Sequence, residues 1–406
     1  MPIGYSHKVL KHLKEANFEL LEYINGSVAT VRLPRVFSIS ENPEETIRTL
    51  RRLYTVGKKE RVGKIVFNYD DCEQMGLSAS TIMDVIVLAL EQFRNENYLD
   101  WELEGNFPKR EDVRTMLCAS GLLYHLKIDT PWRDVDGDRI KRFQTVSGEG
   151  NGKTGKSSAT ATGLARYFSE CLKTQHLELT DNGKRLLSGI LGEVLDNCES
   201  HGGTGSTWYT QGHYQLVKGN EFGEMQLLFL SLGDSIYEGL KNDSSRETQQ
   251  RLDFIKQNSK YKISNKNDEE ILYTVCALQE GISRLRDKNK PGYAGRGSGT
   301  VRMIQFFEDI GETEATNVEQ QLTIVSGNVF LSFDKRYKMD TVSFEEDLAF
   351  GSGDKKIIAF NKDNDIYNKP DKSCVRRIDE RFPGTIISLK FYLDERYIRQ
   401  QSRLGE

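Results

Sequence analysis

Long apolar runs are missing from this chain. The longest stretches, such as Val85 to Leu90, are far too short to cross a bilayer, so no membrane-spanning helix is expected. Proline is scarce, with 8 residues against 35 glycines. An excess of one charge is also missing. Lys and Arg number 56 against 60 Asp and Glu, a net charge of −4 that excludes a broad basic face for nucleic acid or for an acidic membrane. The six cysteines (Cys72, Cys118, Cys171, Cys198, Cys276 and Cys374) form no CxxC pair, and the six histidines are equally dispersed. That pattern excludes a disulfide scaffold and the usual zinc spacings. The first fifteen residues carry Lys and Glu without an apolar core. A secretory signal is therefore not expected, and the chain reads as cytoplasmic.

What is present is enough apolar material for real cores, with 19 Phe and 17 Tyr. The 406 residues suggest two or three domains. The class expected throughout is α/β (α+β). Residues 1–130 alternate helical and extended patterns. Val9 to Tyr23 has helical spacing, Ala29 to Leu33 reads as extended, and Glu41 to Leu53 reads as an amphipathic helix with Asn42 and Pro43 at its start. Gly63 to Asn68 is a buried-strand candidate, followed by a helix over Ser78 to Phe93 capped by Ser78 or Ser80. Residues 131–158 have the polar, glycine-rich composition of a linker. Residues 159–395 form a second α/β region. Helices are expected near Ala161 to Leu172 and Asn182 to Ser200, and strands near Gln226 to Leu230, Leu322 to Ser326, Val329 to Phe333 and Thr385 to Phe391. Residues 396–406 read as a charged tail.

Two glycine-rich stretches compete as phosphate loops. Gly150 to Ser157 (GNGKTGKS) fits the Walker A spacing, in which backbone amides, a Lys and a Ser hydroxyl serve the phosphates and magnesium. Its context is weak: Phe143 to Ser147 reads as a poor strand, and no apolar strand ending in a carboxylate follows at the right place. The second stretch, Gly292 to Thr300, holds Gly295, Gly297 and Gly299 in strict alternation just before a helical segment, Val301 to Asp309. Such glycines let backbone amides approach a phosphate at the positive end of a helix.

Between them lies GEVLDNCESHG. Glu193, Asn197 and His201 recur every four residues and so share one helical face. A carboxylate one turn from a carboxamide suits water activation beside an oxygen ligand for magnesium. His201, ahead of Gly202 and Gly203, reads as a helix-end cation. Late in the chain, Phe382-Pro383-Gly384-Thr385 introduces a strand.

In this order these pieces resemble the GHKL ATPase family of gyrase, heat-shock chaperones, histidine kinases and MutL. EVLDN (Glu193 to Asn197) resembles the family's N box, Gly295-Arg296-Gly297-Ser298-Gly299-Thr300 its glycine box, and the Gly-Thr ending at Thr385 its closing element. The resemblance implies a Bergerat α/β sandwich with a mixed sheet over residues 159–395 and a long lid over 241–294, mobile without nucleotide. It also implies ATP and Mg2+, with Asn197 as the metal ligand and Glu193 as the residue that activates water. One element departs. Where the family has an adenine-binding Asp, this chain reads Ser231-Leu232-Gly233-Asp234, so either Ser231, with Thr385, or Asp234 takes that role. The strand KIVFN with Asp70, Asp71 and the helix after them resembles the STAS domain, which implies a phosphorylatable serine at Ser78 or Ser80.

The expected function is a magnesium-dependent ATPase whose lid acts as a nucleotide-controlled switch for a protein partner or for self-association, a homodimer included. A serine protein kinase of the anti-sigma type, a non-catalytic nucleotide-binding interaction module, and a P-loop NTPase using Gly150 to Ser157 remain as alternatives.

Overall fold

The computed structural model describes residues 11, 13, 24–120, 122–125, 139–150, 155–201, 205–217, 222–242, 246–282, 299–310, 319–334 and 336–395. Apart from residues 11 and 13, the helix expected over Val9 to Tyr23 lies outside these residues, as do the tail over 396–406 and the end of the lid beyond 282. Two compact units are present. The first comprises Met1–Ser147, Tyr209–Leu216 and Met225–Leu228, and the second Gly148–Trp208, Val217–Glu224 and Phe229–Glu406.

The first unit contains β1 (Ile24–Asn25), β2 (Val28–Arg32), β3 (Val36–Phe37), α1 (Pro43–Gly57), β4 (Lys64–Asn68), β5 (Gln74–Met75), α2 (Leu77–Glu96), β6 (Glu102–Gly105), α3 (Glu111–Ser120) and α4 (Leu122–His125). Its main sheet has the order β1-β2-β4-β6, with β1 antiparallel to β2 and the other neighbours parallel. Parallel neighbours need crossovers, and α1 and α2 supply them. Pro43 opens α1 with Glu44 and Glu45 in its first turn, as the dipole favours. Helix α2 does not start on a serine cap. Gly76 precedes it, and the Gln226 side chain accepts from Leu77 N at 3.0 Å, so both Ser78 and Ser80 fall inside the helix and are buried. At its other end the buried Arg94 guanidinium donates to the carbonyls of Gly57, Lys59, Val62 and Asp100 at 2.7–3.2 Å. One side chain thus satisfies carbonyls in the connections that lead into β4 and into β6.

Strand β7 (Ile140–Glu149) corrects the linker expected at 131–158. It ends the sheet order β10-β13-β9-β8-β7, and α5 (Lys156–Lys173) begins inside the same stretch. Next come α6 (Asp181–His201), β8 (Thr207–Leu216), β9 (Gly223–Leu232), α7 (Ile236–Lys241), α8 (Arg246–Asn258), α9 (Lys266–Cys276), α10 (Gly299–Ile310), β10 (Gln321–Phe333), the hairpin β11 (Asp340–Asp347) and β12 (Gly351–Ile357), and β13 (Val375–Leu393).

This five-stranded sheet is antiparallel rather than mixed. β10 pairs antiparallel with β13. Gly233 N donates to Pro383 O while Lys390 pairs with Glu224, which sets β9 against β13 in opposite directions. Gly150 N bonds Ser206 O at one end of β7 and Leu216 N bonds Arg139 O at the other. The mixed sheet of this protein is the one in the first unit.

Two further expectations change. FPGT does not precede a strand; it lies within the long β13, as an irregularity opposite Gly327 of β10. The two strands expected at 322–326 and 329–333 are one strand, interrupted by that bulge. The described part of the segment expected as a lid, up to Ile282, contains packed helices. Leu252 and Ile255 of α8 and Leu272 of α9 are buried, so this part is held by its apolar faces.

Candidate functional site

The second unit encloses a cavity of about 130 Å³. Six stretches meet there: α6, the β9–α7 corner, the segment just after α9, the start of α10, and strands β10 and β13.

Helix α6 exists because Leu187, Ile190, Leu191, Val194, Leu195 and Cys198 form one buried stripe. Thr180 Oγ1 accepts from Gly183 N at 3.1 Å and caps its start. Asn197, next to that stripe, lines the cavity; Glu193 lies one turn back, outside the lining. Both reach Gly299, the first residue of α10. A Cβ added at Gly299 would sit 2.8 Å from Glu193 Cβ, 2.9 Å from Glu193 Oε2 and 3.4 Å from Asn197 Nδ2. Only a glycine lets α10 start this close. Cys198 also lines the cavity, and burial pushes its thiol up to about 12, so it presents a neutral group.

The β9–α7 corner is tightly fixed. Ser231 Oγ donates to Cys198 O at 3.2 Å and is buried. Gly233 takes φ +150°. Ser235 caps α7 in a reciprocal box with Glu238, whose carboxylate also takes two bonds from Arg381 at 2.6 and 2.7 Å. Burial would raise the Glu238 carboxyl, but the Ser235 and Arg381 bonds outweigh it and hold it below the usual range. Gly384, at φ +131°, lies against Ser231 O where no side chain fits.

Ser326 joins the pieces: its Oγ accepts from Ile236 N at 2.8 Å and lies 2.8 Å from Thr385 Oγ1. The bulge at Ser326–Val329 aims it there, with Asn328 N donating to the buried Glu270 at 2.9 Å. Much of the lining is apolar, with Ile236, Leu240, Leu278, Ile324 and Ile387.

Of the residues singled out from the sequence, Asn197, Ser231, Asp234, Gly299, Thr300 and Thr385 line this one cavity. Gly233 adjoins it in the chain, and Glu193 touches it through Gly299. Gly295, Arg296, Gly297 and Ser298 lie outside the described residues. His201 closes α6.

Four contributors escaped the sequence reading: Ser326, Cys198, Glu238 and Arg302. Arg302 is three residues beyond Gly299, on the same helical face, and that spacing was the available signal. Ser326 had none, because a strand break that is really a bulge looks like two strands.

The competing loop behaves otherwise. β7 leads to Gly150, Gly155 takes φ +65°, and α5 begins at Lys156, so the strand judged poor does form. Residues 151–154 lie outside the described residues. Gly150, Gly155, Lys156 and Ser157 are not in the cavity lining. β7 is an edge strand of an antiparallel sheet, whereas a P-loop strand belongs in a parallel α/β sheet.

Among the described residues no three His, Cys, Asp or Glu side chains group closely enough to hold a metal alone. Beside Gly299 stand Asn197, whose Nδ2 faces it and whose amide oxygen is the neutral oxygen ligand on this face, and Glu193 Oε2, a buried atom with no hydrogen-bond partner. A hard cation fits such donors when water and phosphate complete its shell. No helix among the described residues is long and apolar enough to cross a membrane. No protein-family model, characterised protein or solved structure matches the chain significantly.

Proposed function

We propose that this chain binds ATP in the second-unit cavity in the manner of a GHKL ATPase and hydrolyses it with Mg2+. One observation carries the reading: residues chosen from three separated sequence motifs line a single cavity with an apolar wall. An apolar slot with a few convergent polar groups suits a nucleotide base and its phosphates.

In this reading Ile236, Leu240, Ile324 and Ile387 cover the base, with Ser231, Asp234 and Thr385 at its polar edge. The start of α10 offers backbone N–H groups and its dipole to the phosphates. Asn197 holds the magnesium, which neutralises phosphate charge when bound. Glu193 orients the attacking water. Nucleotide state then governs contact with a protein partner or a second copy of the chain. The first unit is read as STAS-like on β4, Asp70, Asp71 and α2.

Two observations bear on the alternatives. Ser78 and Ser80 are 2% and 0% exposed, which favours transfer to water over transfer to those hydroxyls. Ser231 in place of a carboxylate favours loose base selection, and it is the point in favour of a module that binds nucleotide without turnover.

The test is thermal unfolding with magnesium and ATP, ADP or GTP, paired with phosphate release. ATP at a hundredfold over Kd should stabilise the protein by about 2.7 kcal/mol. Asn197→Ala should remove that gain, Glu193→Gln should keep binding and lose turnover, and Lys156→Ala should change neither. No stabilisation by any nucleotide would overturn the reading, as would full turnover in Glu193→Gln. Loss of turnover only in Lys156→Ala would move the site to the other loop.

A further inference from the structure

Glu193 does not stand alone on α6. Its Oε1 accepts from Arg302 Nη1 at 2.6 Å, across from α10. Its Oε2 is buried and has no hydrogen-bond partner. That second oxygen lies 2.9 Å from the position a Gly299 Cβ would take, so it points toward the N-terminal end of α10 rather than to open solvent. The two oxygens therefore have different environments. One is tied to a guanidinium at the rim, and the other is kept free on the side of Gly299.

A Glu side chain has three rotatable torsions, and on an exposed helical face it samples many rotamers. One turn before Glu193 stands Gly189, around whose Cβ position lies open space within 4 Å. Among the described residues, the hydrogen-bond partner of this carboxylate is Arg302, on α10. Arg302 is one turn beyond Gly299, so the residue that lets α10 approach α6 and the residue that grips Glu193 lie on the same helical face.

We infer that Arg302 is the positioning residue for Glu193: it holds Oε1 so that Oε2 alone is presented to the attacking water. This rests on the hydrolytic reading above. In the step, the water oxygen bonds to the γ-phosphorus and its proton passes to Glu193 Oε2. The bond from phosphorus to the β–γ bridging oxygen breaks, and its electron pair leaves on ADP. Arg302 touches neither water nor phosphate; it acts through the carboxylate. Because Arg302 is three residues into the helix that carries the phosphate-facing end, any shift of α10 also moves the grip on Glu193.

The experiment compares wild type, Arg302→Ala, Arg302→Lys and Glu193→Gln in the full chain. It measures nucleotide Kd, KM for ATP, kcat for phosphate release, and unfolding temperature. Arg302→Ala should lower kcat about tenfold to a hundredfold while Kd and KM stay within about twofold. Arg302→Lys should recover part of kcat, because an ammonium keeps the charge without the guanidinium geometry. In the Glu193→Gln background Arg302→Ala should cost nothing further, since both act on one step.

An unchanged kcat in Arg302→Ala, with Glu193→Gln inactive, overturns this inference and leaves the hydrolytic reading standing. A rise in KM equal to the fall in kcat/KM would place Arg302 in substrate binding, and that also overturns it. Full turnover in Glu193→Gln would sink the hydrolytic reading itself. If Arg302→Ala lowers the unfolding temperature, Arg302→Gln serves as the second variant under the same criteria.

Discussion

Gly299 is the residue on which the candidate site turns. Its missing side chain is required by two atoms of Glu193, since a Cβ would press on Glu193 Cβ at 2.8 Å and on Oε2 at 2.9 Å. Neither can retreat easily: Glu193 Cβ is fixed to α6, and Oε2 belongs to a carboxylate gripped by Arg302. Gly299→Ala should therefore push α10 outward, cost about 1–3 kcal/mol in urea unfolding, and abolish nucleotide-induced stabilisation. Retained stabilisation would show that the two helices separate without harm to the site. This requirement was visible in the sequence only as alternation of glycines. The pattern announces that backbone must come close to something, and Gly299 proves to be close to Glu193 and Asn197. Ser231 was legible as a departure from a motif. Its fixed hydroxyl, donated to Cys198 O, was not, because that bond joins residues 33 positions apart.

At the scale of elements, one carboxylate ties the apolar-packed α9 to both α7 and α8. Glu269 accepts from Lys256 of α8 at 2.7 Å, from Lys241 of α7 at 2.9 Å, and from the Tyr237 hydroxyl at 2.5 Å. Burial raises its carboxyl, but these three bonds outweigh burial and hold it at about 2, against an ordinary 4.5. The folded value is depressed, so the stability it contributes is present above about 4.5 and is lost as pH falls from about 4.5 toward 2. Wild type should therefore be more stable than Glu269→Gln at pH 7, and the gap should narrow between pH 4.5 and 2 in thermal unfolding. A constant gap would show that the carboxylate is not the joint. Helices with a single apolar stripe were the readable elements: α6 and α10 lie within two residues of their expected limits. β7 and β8 were not readable. β8 has the sequence TWYTQGHYQL, whose Thr210, Gln211 and His213 suggest a surface, yet all three are buried. Burial of polar residues is decided by partners on other segments, which no local periodicity records.

For the whole molecule, the first unit is not contiguous in sequence. Helix α2 is buried almost all round from Leu77 to Val87, and a helix without a wet face needs cover on every side. Part of that cover comes from segments far along the chain that belong to the same unit. Thr81 Oγ1 bonds Gln211 at 2.5 Å, and Leu77 N bonds Gln226 at 3.0 Å. A fragment ending at residue 147 should therefore bind an apolar dye and unfold without a sharp transition, whereas the intact chain should unfold cooperatively. A cooperative, dye-free fragment would show that the late segments are dispensable to this unit.

Composition and patterning were enough to settle that the chain folds with mixed α/β cores, that no long apolar span interrupts them, and that particular residues on α6, β9, α10 and β13 merit attention. Those properties are local or additive, so a linear string carries them. Assembly was decided elsewhere. That Asn197, Ser231, Gly299 and Thr385 share one cavity, that Arg302 grips Glu193, and that a stretch with a linker's composition becomes a sheet edge all depend on pairings between distant segments. Such pairings form only when burial of the whole apolar surface offsets the entropy of closing long loops. The 35 glycines show the division well. Their number is read from the chain, but only the fold reveals that Gly299 and Gly384 are glycine because other atoms already occupy the space a side chain would need.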